Sequence, residues 1–418
     1  MIRRITPRLI AGCLTILALA ALVGVRLSAQ NGPPKQGNTK QAGTKRAASK
    51  DRLVVHEWGT FTSIAGRDGV ALEWRPLNGV SDLPEFVYSI DEGDGGVPRQ
   101  QPGKRNMRAS VRMETPVLYF YAPAEMSVSV KVDFPKGKIT EWYPRARSVA
   151  AGIDWGRLKV MPGAALTFPV ESAESHYYPA REVDAAPVEV HGTPGKPAQQ
   201  EKFLFYRGVG TFDLPLSVKL EGENVVLKNL GKEEIAHLII FENQGGRVGY
   251  RVCDTFTGEM THERPALDKS MDALLGELKQ VLVAGGLYER EAEAMIKTWR
   301  DSWFEEGLRV FYILPRRTTD EVLPVTIEPR PAELVRVLVG RAEVITPEME
   351  KHVQQQIGLL RDSSPQVRET ARKAIQKYGR FAEPILKRLL AQETNAEARA
   401  EIANLIEADQ MQDETAKN

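Results

Sequence analysis

The chain has 418 residues, 56 basic and 55 acidic side chains, and a formal net charge of +1. Nine of the basic residues and none of the acidic ones precede Asp51, so the remainder carries a net −8. An acidic body of this length excludes nucleic acid as the expected partner and is long enough to bury a core as two or more units.

At the N-terminus, Arg3, Arg4 and Arg8 precede an uninterrupted apolar run from Leu9 to Val25, followed by Ser28-Ala29. A positive n-region, an apolar h-region and a small-residue exit are the parts of an export signal. Residues 1–29 are read as that signal, cleaved after Ala29, with an uncleaved membrane anchor as the alternative. Leu9-Ile10-Ala11-Gly12-Cys13 has the form of a lipoprotein box, but its apolar core follows Cys13, which argues against lipidation. Residues 30–50 hold Gly, Pro, Gln and Thr with five basic side chains and no apolar period, the composition of a flexible linker. Periplasmic or extracellular location follows, with membrane contact confined to the N-terminal segment. Beyond Cys13 only Cys253 remains, so no intramolecular disulfide staples a cleaved chain. Cys253 stands beside Val252 in a strand-like segment and reads as buried and inert.

Residues 51–345 are expected to form a β-rich, sandwich-like body. Val128, Val130, Val132 and Phe134 alternate with polar residues, and Pro135-Lys136-Gly137-Lys138 predicts a hairpin returning through Ile139–Tyr143. Leu214 to Leu220 repeats the alternation and turns at Glu221–Asn224 into Val225–Leu227. Met113–Tyr121 is apolar nearly throughout, as a strand covered on both faces would be. Two polar stretches, Asp91–Ser110 and Asp184–Gln200, read as long loops. Asp91–Gly96 is acidic and Gly-rich but lacks EF-hand ligand spacing.

The period changes over 268–304. Met271, Leu274, Leu275, Leu278, Val281 and Leu282 keep helical spacing up to Gly285-Gly286, and Ala292 to Trp303 repeats it, predicting a helical hairpin. Leu308–Leu314, Val322–Ile327 and Leu334–Ile345 are read as strands. Thr346-Pro347-Glu348 starts a helical unit over 346–410, with helices near 348–361, 365–378, 381–391 and 396–407, and 411–418 as a tail. Within it, Leu360 to Arg368 (LRDSSPQVR) resembles the turn of a HEAT repeat, with Asp before the turn and Val-Arg after it. The resemblance covers about two repeats, which implies packing on the body and a surface for a protein partner. His56-Glu57-Trp58-Gly59-Thr60-Phe61-Thr62, Met113-Glu114-Thr115-Pro116 and Lys202 to Gly208 resemble a family of exported bacterial proteins. That family carries no assigned activity, so the resemblance implies export and brings no catalytic residue or cofactor.

Candidate chemistry is sparse. For a transition metal, the histidines of the β region, His56, His176, His191 and His262, form no close ligand pair, so a site needs distant segments. For glycan cleavage, Glu57, Glu114 and Glu141 are embedded in apolar or aromatic strands. Burial of Glu57 beside Val55 and Phe61 would raise its pKa and suit it to general acid work. Trp58, Trp74 and Trp142 are candidates for a stacking platform. For ligand binding, His176-Tyr177-Tyr178 and Arg181 cluster hydroxyls and a guanidinium before a long loop. Nucleophilic catalysis lacks its motifs: no Gly-x-Ser-x-Gly elbow occurs. The reading is therefore an exported cell-envelope protein of binding or structural role, with a glycan hydrolase as the alternative.

Overall fold

A computed structural model describes residues 52–78, 83–91, 103–171, 174–191 and 195–415, with side chains to residue 407. The export segment, the linker and most of Asp91–Gly96 lie outside the described residues. At the centre stands Val54–Ala65, a twelve-residue strand buried along its whole length. It pairs in parallel with Glu333–Val344 and antiparallel with Val111–Tyr121. From this pair a nine-stranded sheet extends both ways. One wing runs through Gly307–Ile313 and Leu238–Gln244 to Arg247–Cys253, the other through Leu204–Gly210 and Gly137–Tyr143 to Tyr88–Ser89.

Strand alternation sorts the central residues into two layers. Val55, Phe61 and Ala65 point with Leu338, Ala342, Leu118 and Phe120 into a large apolar core. That core is closed by a six-stranded sheet built on Met126–Asp133 and Gly152–Val160, and by a three-stranded sheet of Leu216–Glu221, Asn224–Asn229 and Glu259–Glu263. The fold is thus mainly β and sandwich-like. Each Leu, Val or Phe buried there stabilises the fold by about 1.5–3 kcal/mol before chain entropy is counted.

The other face of the nine-stranded sheet carries helices. Met271–Ala284 and Glu289–Trp303 form the expected hairpin and cover Trp58, Val117, Phe205, Ile239 and Val337. The Ser270 hydroxyl caps the first helix by accepting from the Ala273 amide, and Gly286 at φ 115° ends the turn against Val335. Further along the same face, Ile64, Trp74 and Ile345 pack under Pro347–Leu359, Pro365–Gln376, Ala382–Gln392 and Ala396–Thr415. Thr346 caps the first of these as its sequence suggests. Asp362 Oδ1 accepts from the Ser364 amide, and Arg368 donates to the Asp362 and Ser363 carbonyls, which closes the turn between the first two helices. Among the described residues no helix is long and apolar enough to cross a membrane.

Several expectations change. Met126–Asp133 and Gly137–Tyr143 do not pair as a hairpin; the first joins the six-stranded sheet and the second the nine-stranded one. The Phe134 ring lies under Gly137, where a Cβ would come within 2.2 Å of it, and this tight corner passes the chain between layers. Alternation reported a half-buried strand correctly but carries no information about its neighbour. Residues Arg316–Val322 form a short helix with i,i+4 pairs Arg316–Asp320 and Arg317–Glu321, and the strand begins only at Val325. Val188–Val190 and Gln199–Glu201 add short strands within the Asp184–Gln200 stretch. The last helix continues to Thr415, through most of the expected tail.

Candidate functional site

The three candidate carboxylates fall on opposite sides of one sheet. Glu57 shares the sandwich-facing side with Val55 and Phe61, as its parity requires. There the Tyr206 hydroxyl and the Arg336 guanidinium both donate to it, and Arg336 also reaches Asp320 at 2.8 Å. Burial, followed by the charge of Glu57, raises the Tyr206 pKa well above its ordinary value and keeps that hydroxyl a donor.

Glu114 and Glu141 lie on the helical side, on strands separated by Leu204–Gly210. They belong to a row of charged and hydroxyl side chains that crosses the sheet between the helical hairpin and the C-terminal helices. Thr62 pairs in register with both Arg341 and Arg112, Thr60 with Glu114, and Arg207 with Glu141. Thr62 Oγ1 donates to Glu114 at 2.6 Å, Arg112 Nε stands 3.2 Å from it, and Arg341 closes the other side at 3.7 Å. Burial pushes the Glu114 carboxyl up, but Arg112, Arg341 and the Thr62 hydroxyl outweigh it, so its pKa lies below the usual range. The same balance holds at Glu141, where burial is outweighed by Arg207, by Lys104 at 2.8 Å and by the Thr140 hydroxyl. Their surroundings thus favour the ionised form of both carboxyls.

The row continues to Glu343, which is fully buried and accepts from Arg341 at 2.6 Å and Arg380 at 2.8 Å, with Arg309 Nε 3.1 Å away. Burial alone would raise its pKa; Arg309, Arg380 and Arg341 hold it far below the ordinary value. Because Arg380 comes from the helical unit, this cluster ties that unit to the sheet, and Glu383 ties it to Arg75 and Arg108 in the loops before Val111–Tyr121. At the middle of the row the backbone departs from a regular strand. Thr115 has φ 49°, and a Cβ on Gly59 would stand 2.9 Å from Pro116 Cα, so only glycine fits opposite this bulge.

The histidines are not brought together. His56 Nδ1 meets Glu291 at 2.7 Å, and Glu291 also accepts from the Tyr121 hydroxyl and the Tyr288 amide, which locks the second hairpin helix to the central strand. His176 stacks on Trp299 and bonds the Thr298 carbonyl. His191 contacts Glu189, and His262 pairs with Val225 in the three-stranded sheet. Among the described residues no three His, Cys, Asp or Glu side chains stand where they could hold a metal ion.

The candidate ligand-binding residues make contacts within the fold. Tyr177 donates to Glu201 and Arg181 grips the same carboxylate through two bonds of 2.9 and 2.6 Å. Tyr178 accepts from the Glu171 amide. Trp58 is buried under the hairpin, Trp142 packs on the opposite face, and Trp74 sits under the C-terminal helices, so no common platform forms. Arg207, Arg309, Arg341, Glu343 and Arg380 were not singled out from sequence; the signal available was the charges of Arg336, Arg341 and Glu343 within a strand rich in Val and Leu. A groove of about 500 Å³ opens in the helical unit between Arg67, Lys351, Gln354, Arg361 and Glu393, with Ile357 in its wall. Compared with protein-family models and with curated proteins, the chain matches none.

Proposed function

We propose that this is an exported cell-envelope protein with a binding role and without glycan hydrolysis at Glu57, Glu114 or Glu141. The observation that supports this most is how those carboxylates are engaged. A glycosidase places two carboxyl groups across one scissile bond, one of them kept protonated by its surroundings. Here Glu57 is separated from the other two by the sheet itself, while arginines hold Glu114 and Glu141 ionised. The charged groups of the body fasten helices to strands, and an exported scaffold of this kind would present its surfaces to partners. The HEAT-like turn and the groove between Arg67, Lys351, Arg361 and Glu393 suit a protein segment bearing both signs of charge.

The test is reducing-end release from peptidoglycan and from neutral and acidic polysaccharides, measured with the purified protein and with Glu57→Gln, Glu114→Gln and Glu141→Gln. No release above the blank is expected. Turnover that disappears in one of these variants, with its far-UV spectrum intact, would overturn the proposal in favour of a hydrolase.

A further inference from the structure

A different part of the molecule carries charge of the opposite sign to its surroundings. Between Met126 and Val160 there are seven lysines and arginines against three acids, within a body that is net negative. This segment supplies two adjacent strands of the six-stranded sheet, Met126–Asp133 and Gly152–Val160, whose inner residues Val128, Val130, Val132, Leu158 and Val160 face the core. Along these two strands Ser127, Ser129, Lys131, Arg157 and Lys159 point outward.

A bulge organises that outer face. Val130 pairs with Gly156 but Lys131 with Asp154, so one residue of Gly152–Val160 is unpaired at this point. Ile153 and Trp155 face the core before the bulge, and Leu158 and Val160 face it afterwards. The shift of parity is accommodated at Gly156, with φ 67°. Beyond it Arg157 and Lys159 point outward two residues apart, about 7 Å along the strand. With no side chain at Gly156, a hollow of about 350 Å³ lies over the bulge. Ser127, Arg147, Arg157, Lys159 and His191 line it, with Trp155 in its wall, and no carboxylate is among the lining residues.

The charges around the hollow do not cancel. Arg147 is paired with Asp154, and Glu189, which bonds His191 and Gln200, also faces Lys159 across the strand pair. Arg157 has no ion-pair partner among the described residues, and Lys159 stands opposite Glu189 on the adjacent strand without a close ion pair. Arg147, Arg157 and Lys159 outnumber the neighbouring carboxylates Asp154 and Glu189, so the concave site is net positive, with a hydroxyl and an imidazole beside its cations, which suits successive negative groups on an extended chain.

We infer that this hollow binds an anionic polysaccharide through its carboxylate or sulfate groups, an inference that rests on the binding role proposed above and names its ligand class. The basic residues at positions 35–50 also attract polyanions, so the test must separate the two. Equilibrium binding of polygalacturonate and of dextran sulfate is measured by calorimetry at low salt for the full chain, for Arg157→Glu/Lys159→Glu, and for Lys40→Glu/Lys45→Glu. Neutral dextran and vesicles containing phosphatidylglycerol serve as comparisons. The expected result is saturable binding of at least one acidic polymer, weakened roughly tenfold or more by the strand variant and by 0.5 M salt, roughly threefold at most by the linker variant. Thermal unfolding of the strand variant is followed alongside, and Arg157→Gln/Lys159→Gln gives an intermediate loss without reversing charge.

Binding unchanged in the strand variants, equal binding of neutral dextran, or binding of the vesicles alone would each overturn the inference. So would the absence of any binding to either acidic polymer. Cleavage of the bound polymer would instead overturn the non-hydrolytic reading while leaving this site in place.

Discussion

Replacing Glu343 by glutamine keeps its shape and removes one negative charge from among three guanidinium groups. The carboxylate has no exposed surface and stands 2.6–3.1 Å from Arg341, Arg380 and Arg309. At an effective dielectric constant of about 20, unit charges about 4 Å apart interact by about 4 kcal/mol. Removing one partner of a buried pair costs about 3–5 kcal/mol, because the other charges stay desolvated. Glu343→Gln should therefore lower stability by about 3–5 kcal/mol at pH 7, or about 4–6 °C in Tm for a chain of this size. Glu305, whose side chain is 42 % exposed, contacts the same Arg380. Its replacement by glutamine should cost no more than about 1 kcal/mol. Urea unfolding followed by tryptophan fluorescence measures both. Acid adds a second readout. The Glu343 pKa in the folded state lies far below the ordinary 4.5. Its contribution is complete above that value and is lost as pH falls towards the folded-state pKa. The gap between wild type and Glu343→Gln should accordingly narrow below about pH 4. A cost under about 1 kcal/mol at pH 7 would refute the reasoning, because it would mean that the three arginines do not depend on this carboxylate.

Two further outcomes are expected. Gly340 pairs with Tyr312, and a Cβ there would come within 2.2 Å of the ring, so Gly340→Ala should cost about 1–3 kcal/mol, and Tyr312→Leu in the same chain should recover part of it; additive losses in urea unfolding would contradict this. In a Cys13→Ser background, Cys253 should resist thiol reagents in the folded protein. Burial pushes its pKa to about 11 from an ordinary 9.0, so at pH 8 ionisation alone slows labelling about a hundredfold, and urea should restore it. Rapid labelling without urea would show the strand end to be open.

What could be read in the sequence was whatever a short window determines. The 3.6-residue period placed the helical hairpin, and Thr346-Pro347 placed the start of the C-terminal helices. Alternation put Glu57 on the side of Val55 and Phe61, which is where it lies. The chemistry around it was invisible for a plain reason: Tyr206 is 149 residues away and Arg336 is 279. A glutamate in an apolar strand looks like a candidate acid until the guanidinium from a distant strand is known. The same applies to Met126–Asp133, whose neighbours Gly152–Val160 and Val325–Glu328 lie after the corner at Gly137 and near the end of the body. Trp58 and Trp142 stood as possible partners because composition counts rings and not the faces they occupy.

The parallel pairing of Val54–Ala65 with Glu333–Val344 has a consequence for synthesis. Among the described strands, the first to leave the ribosome lacks one of its two neighbours until nearly the entire body has followed. Pairing between the two ends of the body is a contact of very large sequence separation, of the kind that slows folding. A nascent chain ending before residue 333 is therefore missing a central strand and not an edge. It would leave a row of twelve buried backbone positions unmatched on one side, from Val54 to Ala65. Completion of the sheet is thus coupled to near-completion of the polypeptide, and shortened products should be cleared or aggregate instead of persisting as smaller stable domains.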